Sequence, residues 1–383
     1  MNIGFFTDTY LPQINGVAIS IDSFRRELER RGHSVYVFAP RVPGHKEKDS
    51  RVMRFRSLSL GPFFSGKGSM MANRLVMPFS VHNYFKLHDI KLDIIHSHTE
   101  MGMGTLAIFA AKRLNVPHVH TYHTLYPEYV HYLGKGKIIS KKGAEKLSAL
   151  YCNRCQTVIA PSQKIKELLW KYGVKKQIEV LETGIDLPLY SVAKKDTFRK
   201  KYGIDEKTKI LLCVGRQGKE KGMDVILWAH AAANIEKCLL VFVGDGPERP
   251  NLERMAKDLG IDKKVLFTGL LPYQEVVQAY AAADLFVFAS VTETQGIVLL
   301  EAAASGLPII AVNDSVVSQY VHPGQNGVLV KDAKEMAKEI IKFFENPWEA
   351  AKMEKVSRQI AASYSIQNQT EKLLEIYRQT LVK

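Results

Sequence analysis

The chain has 383 residues, of which 46% are hydrophobic and 24% are charged, and its formal net charge is +14. That length exceeds one ordinary hydrophobic core and predicts two domains, and the apolar share is sufficient to fill both cores. Four cysteines, the lack of a leader-like segment at Met1 and the lack of an apolar run of membrane-spanning length argue against a disulfide scaffold and a transmembrane protein, and predict a cytoplasmic protein.

The first half of the chain alternates short apolar runs with segments of helical periodicity. The apolar runs predict strands at 2–6, 34–39, 94–97, 118–121, 157–160 and 178–181, and the periodic segments predict helices at 19–31 and 104–114. Such alternation is typical of an α/β fold in which a parallel sheet is covered by helices on both faces.

A break in this pattern lies at E-T-G-I-D-L-P-L-Y, where Gly184 and Pro188 interrupt the periodicity. We therefore predict two domains, 1–187 and 188–364, and a last helix over about 365–383. In the second domain, apolar runs predict strands at 210–214, 239–243, 265–267, 285–289 and 309–312. The sequence thus predicts two Rossmann-like domains built on parallel sheets.

Cations follow the first predicted strand of the second domain, in I-L-L-C-V-G-R-Q-G-K-E-K-G. Because ligands of open α/β sheets bind outside the carboxyl ends of the strands, the fork of Arg216 and the point charge of Lys221 are well placed for a diphosphate. Gly215 and Gly244 supply flexible backbone at two such strand ends. The alternative is a solvated charged turn, which is commoner for any single lysine.

A strand, a loop and a helix start follow one another from A-D-L-F-V-F-A-S to T-E-T-Q-G-I-V-L-L-E. The N–H groups at such a helix start favour a phosphate. They belong to Thr294, Gln295, Gly296 and Ile297. Glu293 flanks this predicted phosphate site, and Glu301 on the same helix is suited to accept two hydrogen bonds from a ribose diol. The alternative for Glu301 is a solvated glutamate favoured by the helix dipole.

Several motifs together resemble those of family 4 of the retaining glycosyltransferases, which have the GT-B fold. In the second half they are G-R-x-x-x-E-K-G, V-G-D-G-P, F-T-G at 267–269, and E-x7-E followed by A-S-G-L-P. In the first half they are the opening M-N-I-G-F-F-T-D-T-Y-L-P-Q-I-N-G-V, D-I-I-H-S-H-T-E at 93–100 and V-H-T-Y-H-T at 119–124. Within the family, P-Q-I-N-G-V-A-I-S-I and T-Y-H-T-L-Y-P-E-Y are most similar to bacterial enzymes of the monoglucosyldiacylglycerol synthase type.

This resemblance implies an architecture and a reaction. The two Rossmann-like domains are expected to face each other across a cleft, and the last helix is expected to cross back onto the first domain. The second domain would bind the nucleotide sugar, and the first would bind the acceptor and the membrane. The implied reaction moves glucose from UDP-glucose to the free hydroxyl of 1,2-diacylglycerol with retention of configuration, giving α-monoglucosyldiacylglycerol at the inner face of the cell membrane.

The resemblance also implies roles for single residues. His123 matches the family histidine that contacts the transferred sugar, Glu293 the residue that hydrogen-bonds sugar hydroxyls, and Glu301 the residue that holds the ribose. Retention could use a nucleophilic carboxylate or a front-face path in which the leaving diphosphate accepts the acceptor's proton, and the resemblance favours the second. On that path Arg216 and Lys221 would neutralise the charge that grows on the leaving diphosphate. These assignments predict severe loss of turnover when either cation is removed.

Three further positions in the first domain are candidates. Gly16 would let the backbone approach the donor closely, with a tight turn as the alternative. Asp8 and His98 are weaker candidates, which could instead cap a helix or pack. No Asp-x-Asp pair occurs in the chain, so the metal-held diphosphate of the other major glycosyltransferase fold has no ligands here. The sequence therefore predicts transfer without a metal or other cofactor.

Charge is unevenly placed along the chain. Residues 1–187 carry 27 Lys and Arg against 15 Asp and Glu, a net +12, whereas residues 188–383 carry 26 against 24, a net +2. A one-sided positive field indicates a polyanionic partner, either nucleic acid or an anionic membrane leaflet. Two stretches that mix apolar side chains with cations favour the membrane. They contain Phe63, Phe64, Lys67, Arg74, Lys135, Lys137, Lys141 and Lys142. The alternative is a core helix with a solvated lysine face.

Other functions remain open at this stage. A relative on the same architecture could transfer a different sugar or use an already glycosylated lipid, and a phosphorylase or a nucleotide-sugar epimerase would share the fold. A non-enzymatic polyanion binder would use the basic surface on nucleic acid. The chain carries neither a zinc finger nor aromatic RNA-binding signatures, which argues against a nucleic-acid partner.

Overall fold

The chain forms two compact units in a computed structural model that describes residues 1–13, 15–59, 74–76, 89–129 and 140–382. The first unit contains the described residues up to Gly184 together with those from Ile366 onward, and the second unit contains Ile185–Ser365. Each unit has its own parallel sheet and its own hydrophobic core.

The first unit holds a seven-stranded sheet among its described residues. Its strands in chain order are β1 (Asn2–Phe6), β2 (Ser34–Pro40), β3 (Val52–Phe55), β4 (Ser57–Ser59), β5 (Arg74–Val76), β6 (Ile94–Ser97), β7 (His118–Thr121), β8 (Thr157–Ala160) and β9 (Gln177–Val180). The parallel order is β3-β2-β1-β6-β7-β8-β9, and β4 pairs with β5 as a separate antiparallel ribbon. Its helices are α1 (Gly16–Arg30), α2 (Gly102–Leu114), α3 (Tyr126–Tyr129), α4 (Lys141–Cys152), α5 (Gln163–Tyr172) and α14 (Ile366–Val382).

Both faces of this sheet are buried, so its central strands carry buried side chains on both sides, polar ones such as His96 and Ser97 included. Phe5 packs on one face, in the core that α1 and α14 cover, whereas Phe6 stacks on Phe38 on the opposite face with ring centroids 4.4 Å apart. The terminal helix α14 is part of this unit, and the Tyr377 ring lies fully buried in the same core as Phe5.

The second unit holds a six-stranded parallel sheet. Its strands are β10 (Lys209–Val214), β11 (Cys238–Val243), β12 (Val265–Gly269), β13 (Leu285–Phe288), β14 (Ile309–Val312) and β15 (Gly327–Val330), in the order β12-β11-β10-β13-β14-β15. Its helices are α6 (Leu187–Ser191), α7 (Lys195–Tyr202), α8 (Met223–Ala233), α9 (Arg249–Asp258), α10 (Tyr273–Ala282), α11 (Ile297–Ala304), α12 (Ala333–Glu345) and α13 (Pro347–Ser363), with short 3₁₀ turns at Lys219–Lys221, Asp262–Lys264 and Val317–Gln319.

Strand order places a switch point in each sheet. Between β1 and β6 in the first unit, and between β10 and β13 in the second, the connections turn away in opposite directions. Ligands of open α/β sheets bind outside the carboxyl ends of the strands at such a point. A ligand site is therefore expected at the loops that follow β10 and β13 and at those that follow β1 and β6.

The predicted parallel α/β sheets are confirmed, and most element bounds agree within one or two residues. One difference is the start of α1, which begins at Gly16 rather than at 19 because Asn15 Oδ1 accepts a hydrogen bond from the Ala18 N–H at 3.0 Å. Among the residues that the structure describes, none of the helices combines the length and the apolar run that crossing a bilayer requires.

Candidate active site

Glycines shape the strand ends of the second unit. Gly215 and Gly244 follow β10 and β11 with φ of 151° and 125°, in the region that favours glycine. A Cβ at Gly244 would lie 2.1 Å from the Gly215 carbonyl oxygen, so the two turns can touch only because a side chain is missing there. The Gln217 amide then donates to the Gly244 carbonyl at 2.9 Å and ties the turns together.

The predicted cations lie in the turn after β10, each beside a carboxylate. Arg216 donates from Nη2 to Glu220 Oε1 at 2.6 Å, and Lys221 donates from Nζ to Glu293 Oε1 at 2.6 Å. All four side chains are between 11% and 16% exposed, so both pairs are largely shielded from water. Each of these two cations is therefore paired with one carboxylate.

The Lys221–Glu293 pair joins the two sides of the switch point. Glu293 lies in the loop after β13, and Gly222 packs so closely on the end of that strand that a Cβ there would lie 2.9 Å from the Ala289 carbonyl oxygen. The hydroxyl of Ser290 donates to the Glu220 carbonyl at 3.4 Å. The structure thus brings Arg216, Lys221 and Glu293 together, although Lys221 and Glu293 are 72 positions apart.

Helix α11 begins at Ile297, directly after this loop, with Gly296 at its cap in a left-handed conformation of φ 75°. Gln295 is buried, and Glu293 lies close enough to Gly296 that a Cβ there would be 3.8 Å from the Glu293 Cγ. The predicted order of strand, loop and helix start is therefore what the structure shows, with Thr294, Gln295, Gly296 and Ile297 leading into α11.

Glu301 is buried in this fold rather than solvated. Glu301 is only 4% exposed. Its carboxylate accepts hydrogen bonds from Tyr280 Oη at 2.8 Å and from Tyr273 Oη at 3.2 Å. The solvated alternative is thus wrong. Burial raises the pKa of Glu301 to about 7, while the hydroxyls of Tyr280, Tyr273 and Tyr190 oppose that rise.

Histidines follow the central strands of the first unit. His123 comes after β7, and its Nε2 lies 3.1 Å from Nδ1 of His98, which comes after β6. The His98 ring packs against His96 with centroids 4.1 Å apart, and His96 Nδ1 lies 2.7 Å from the Tyr377 hydroxyl. Burial, and then the neighbouring imidazoles, lower the pKa of His96, His98 and His123, so these rings are neutral near pH 7.

Asp8 caps a helix in this unit. Its Oδ1 accepts from the Met103 N–H at 2.9 Å in the first turn of α2, and its Oδ2 accepts from the Thr99 hydroxyl at 2.7 Å. Burial raises the pKa of Asp8 to about 6, and both hydrogen bonds oppose the rise. Of the two alternatives for Asp8, capping is thus observed, while a direct ligand role stays a prediction.

A second polar network on the opposite face of these strands was missed by sequence reasoning. Ser97 Oγ lies 2.8 Å from His118 Nε2 and 3.0 Å from both His120 Nδ1 and the Tyr151 hydroxyl. All four residues are buried. The available signal was alternation, because His96 and His98 on one strand leave Ser97 to face the other side, where His118 and His120 meet it.

Gly16 lies beside open space at the start of α1. A Cβ there would meet no atom within 4 Å, and its φ is outside the left-handed region. The turn itself therefore does not demand glycine, and the open space fits the predicted close approach of a ligand.

Only part of the predicted membrane surface belongs to the described residues. Lys141 and Lys142 open α4 and are exposed, and Leu147 and Leu150 on the same helix are each 54% exposed. The other predicted contacts Phe63, Phe64, Lys67, Lys135 and Lys137 lie outside the described residues, and Arg74 is described only as the first residue of β5.

No cluster of three or more His, Cys, Asp or Glu side chains suited to a metal ion occurs within the described ranges. Cys152 and Cys155, spaced as C-x-x-C, are free thiols buried in the core beside α5. Burial raises the pKa of both thiols, so neither is a thiolate near neutral pH.

Known proteins resemble this chain over most of its length. Residues 14–188 match Glycosyltransferase Family 4, and residues 194–360 match Glycosyl transferases group 1. The alpha-monoglucosyldiacylglycerol synthase of Streptococcus pneumoniae is 36% identical over 353 residues, which cover 89% of this chain and 78% of the relative. The synthase of the same name from Acholeplasma laidlawii is 32% identical over 360 residues, covering 91% and 89%.

Solved structures share the fold at lower identity. HepE of Anabaena, crystallised in complex with UDP, superposes with a TM-score of 0.76 at 19% identity, covering 99% of this chain and all of its own. The two parallel sheets and the match to HepE show the GT-B fold, and the family models and the two synthases show the family. The chain therefore belongs to glycosyltransferase family 4 and is a glycosyltransferase of the GT-B fold.

Proposed function

We propose that the protein is a retaining glucosyltransferase that moves glucose from UDP-glucose to the free hydroxyl of 1,2-diacylglycerol and yields α-monoglucosyldiacylglycerol. It would act as a peripheral protein on the inner face of the cell membrane. The observation that carries the proposal is the pair of cations at the switch point of the second sheet, Arg216 and Lys221, each held beside a carboxylate.

A diphosphate suits these cations better than the carboxylates that accompany them. Bound between Arg216 and Lys221, it would take over the hydrogen bonds now made to Glu220 and Glu293 and would release both carboxylates. Charge-assisted hydrogen bonds to phosphate are strong where water is excluded, and the four side chains are largely shielded. In our proposal the released Glu293 then hydrogen-bonds hydroxyls of the transferred sugar.

The chemistry follows from where charge develops. The bond from the anomeric carbon to the diphosphate oxygen breaks, and a bond to the acceptor oxygen forms on the same face. The leaving diphosphate accepts the proton of the acceptor hydroxyl. Arg216 and Lys221 stabilise the negative charge that grows on that diphosphate. His123 remains a neutral hydrogen-bonding partner for the sugar, because burial keeps its pKa low.

Two observations support a lipid acceptor and a membrane surface. Both curated relatives described above are named alpha-monoglucosyldiacylglycerol synthase. On α4, two exposed lysines precede Leu147 and Leu150, which are each 54% exposed, a mixture that suits an anionic bilayer surface. UDP as the nucleotide is supported by HepE, whose structures hold UDP and UDP-glucose.

The test is a transfer assay with purified protein, radiolabelled UDP-glucose and diacylglycerol in anionic vesicles, followed by separation of the lipids and assignment of the anomeric linkage. Labelled α-monoglucosyl lipid is expected. UDP binding without labelled lipid would refute the acceptor, and a β-linkage would refute retention. Transfer is expected to persist in EDTA, because the proposal requires no metal or other cofactor.

Parallel reactions separate the alternatives. Labelled UDP-galactose or GDP-mannose in place of UDP-glucose tests the sugar, and monoglucosyldiacylglycerol in place of diacylglycerol tests a glycosylated acceptor. Salt-sensitive binding to duplex DNA without any nucleotide-sugar binding would favour a polyanion-binding protein instead.

A further inference from the structure

Three tyrosines surround the Glu301 carboxylate inside the second unit. Tyr280 Oη lies 2.8 Å from Oε2, Tyr273 Oη lies 3.2 Å from Oε1, and Tyr190 Oη lies 2.7 Å from Tyr273 Oη. They come from two helices, since Tyr190 is on α6 and the other two are on α10. The carboxylate itself is on α11, so packing among three helices is needed to assemble the group.

The direction of these hydrogen bonds follows from counting protons. A tyrosine hydroxyl has one hydrogen, and an ionised carboxylate can only accept. Tyr273 therefore donates its one hydrogen to Glu301, so the Tyr190 hydroxyl must donate to Tyr273. The chain of donors runs from Tyr190 through Tyr273 to Oε1. Tyr280 donates to Oε2 at 2.8 Å, a shorter contact than the 3.3 Å from its hydroxyl to the Val298 carbonyl.

Two acceptor sites remain on the carboxylate. Its two oxygens offer about four lone-pair sites, of which the tyrosines occupy two, one on each oxygen. One site per oxygen is left, which matches the two hydroxyls of a ribose. Because each oxygen is held from the protein side, the carboxylate cannot rotate without losing a hydrogen bond.

We propose that Tyr273 and Tyr280, with Tyr190 behind Tyr273, are positioning residues that orient Glu301 toward the ribose diol of the nucleotide. This inference rests on the proposed role of Glu301 in donor binding and deepens it. The tyrosines do not touch the reacting atoms; they act through Glu301 on nucleotide affinity and on recognition of the ribose.

Substitution by phenylalanine isolates the hydroxyls, because it keeps the aromatic ring and the packing of the core. We expect Tyr273→Phe and Tyr280→Phe each to weaken UDP binding by about tenfold, the effect of losing one charge-assisted hydrogen bond from the set. Tyr190→Phe should weaken it by about threefold, since the Tyr190 hydroxyl lies behind Tyr273 and hydrogen-bonds it at 2.7 Å. The donor KM should rise in parallel while kcat changes little.

A ribose analogue distinguishes positioning from a general loss of structure. Calorimetric titration with UDP and with 2′-deoxy-UDP gives an affinity ratio for each protein. In the unsubstituted protein UDP should bind more tightly, and Tyr273→Phe and Tyr280→Phe should bring this ratio toward one. The control is Tyr202→Phe, a tyrosine of the same core whose ring packs on Phe198 at 4.6 Å; its ratio should be unchanged.

The outcomes separate this inference from the proposed function. No UDP binding by the unsubstituted protein would overturn the proposed function itself. Normal UDP binding and an unaltered ratio in the phenylalanine variants would overturn the tyrosine inference alone, as would an equal loss for both nucleotides. If Tyr280→Phe does not fold, Tyr273→Phe decides the matter, because Tyr273 is partly exposed whereas Tyr280 is fully buried.

Discussion

The two halves of the chain keep their charge in different places. Over residues 188–383 the cations and anions nearly balance, with a net +2, and the candidate site there is built from two ion pairs. Residues 1–187 carry a net +12, yet the interior of the first unit places neutral histidines at its strand ends. Among the described residues of the first unit, the lysines that begin α4 are exposed cations.

The burial of a charged group and the charge of the partner it binds are linked. A shielded cation needs an anion, and in the second unit Glu220 and Glu293 supply it. In our proposal the diphosphate takes their place. In our proposal the sugar, which carries no charge, meets neutral imidazoles, which can hydrogen-bond it without a desolvation cost for ions. An exposed surface can remain unbalanced because water solvates it, and in our proposal that imbalance attracts an anionic bilayer.

Removing one of the two shielded cations of the second unit should cause the greatest loss of transfer activity. Arg216→Ala and Lys221→Ala are each expected to lower kcat by about 100- to 1,000-fold, the effect of removing one preorganised donor at a developing anion. Lys219→Ala is the matched control, since Lys219 lies in the same turn but is exposed. Steady-state transfer assays measure the effect, and near-normal transfer by either variant would refute the diphosphate role.

Removing exposed positive charge from the first unit should weaken its binding to anionic vesicles. The double substitution Lys141→Gln with Lys142→Gln is expected to weaken binding to anionic vesicles by about 30-fold, at about 1 kcal/mol for each lysine. UDP affinity should not change. Co-sedimentation with vesicles of increasing anionic lipid content gives the measurement.

The control for that experiment is Lys175→Gln with Lys176→Gln, which removes the same charge from the same unit. These exposed lysines directly precede β9, whereas Lys141 and Lys142 begin α4 in the connection between β7 and β8, so the two pairs belong to different connections of the same unit. Equal loss of vesicle binding in both double variants would show a general charge effect and contradict a docking surface at α4.

Much of the fold could be predicted because it depends on short-range patterns. Ile309–Val312 is a strand with the predicted bounds, since it is a short apolar run between turn signals, and Ile94–Ser97 also has the predicted bounds although its second half is polar. The observed start of α1 at Gly16 lies before the predicted start at 19, although Asn15 next to Gly16 is itself a capping signal. The motifs likewise pointed to the turns after β10 and β13, because glycines and cations at strand ends have a direct physical meaning.

What could not be predicted depends on how helices and loops meet. Tyr273 and Tyr280 are seven residues apart, which places them on one helix face, but only the packing of α10 against α11 shows that this face meets Glu301. The pairing of Lys221 with Glu293 likewise needs β10 and β13 to be neighbours in the sheet. Sequence order alone does not contain that adjacency.

The pH dependence of UDP affinity should distinguish the titrating carboxyl of Glu301 from the histidines, which stay neutral. Burial raises the pKa of Glu301 to about 7, so this group binds a proton as the pH falls below 7 and can no longer accept two ribose hydroxyls. Affinity should therefore fall by about tenfold per pH unit below 7 and level off above 8. The lowered pKa of His98 and His123 keeps both rings neutral throughout.

Ionisation of the terminal phosphate of UDP also contributes near pH 6, and it must be separated from Glu301. The ratio of UDP to 2′-deoxy-UDP affinity does this, because both nucleotides share the phosphate. That ratio should decline toward acid pH in the unsubstituted protein and stay flat in Glu301→Gln. A flat ratio in the unsubstituted protein would contradict titration of Glu301 at the ribose site.

The smallest expected effect has the opposite sign, and it tests whether Glu293 competes with the diphosphate for Lys221. Glu293→Gln removes the carboxylate but keeps its size, so UDP binding should tighten by about fivefold, in line with about 1 kcal/mol for a partly shielded pair. Sugar transfer should fall in the same variant, because the sugar loses a charged partner. Glu275→Gln, which breaks the surface pair with Lys201, is the control and should change neither quantity. Weaker UDP binding in Glu293→Gln would mean that the pair organises Lys221 for the nucleotide instead of competing with it, and the second unit would then depend on its internal anions as much as on its cations.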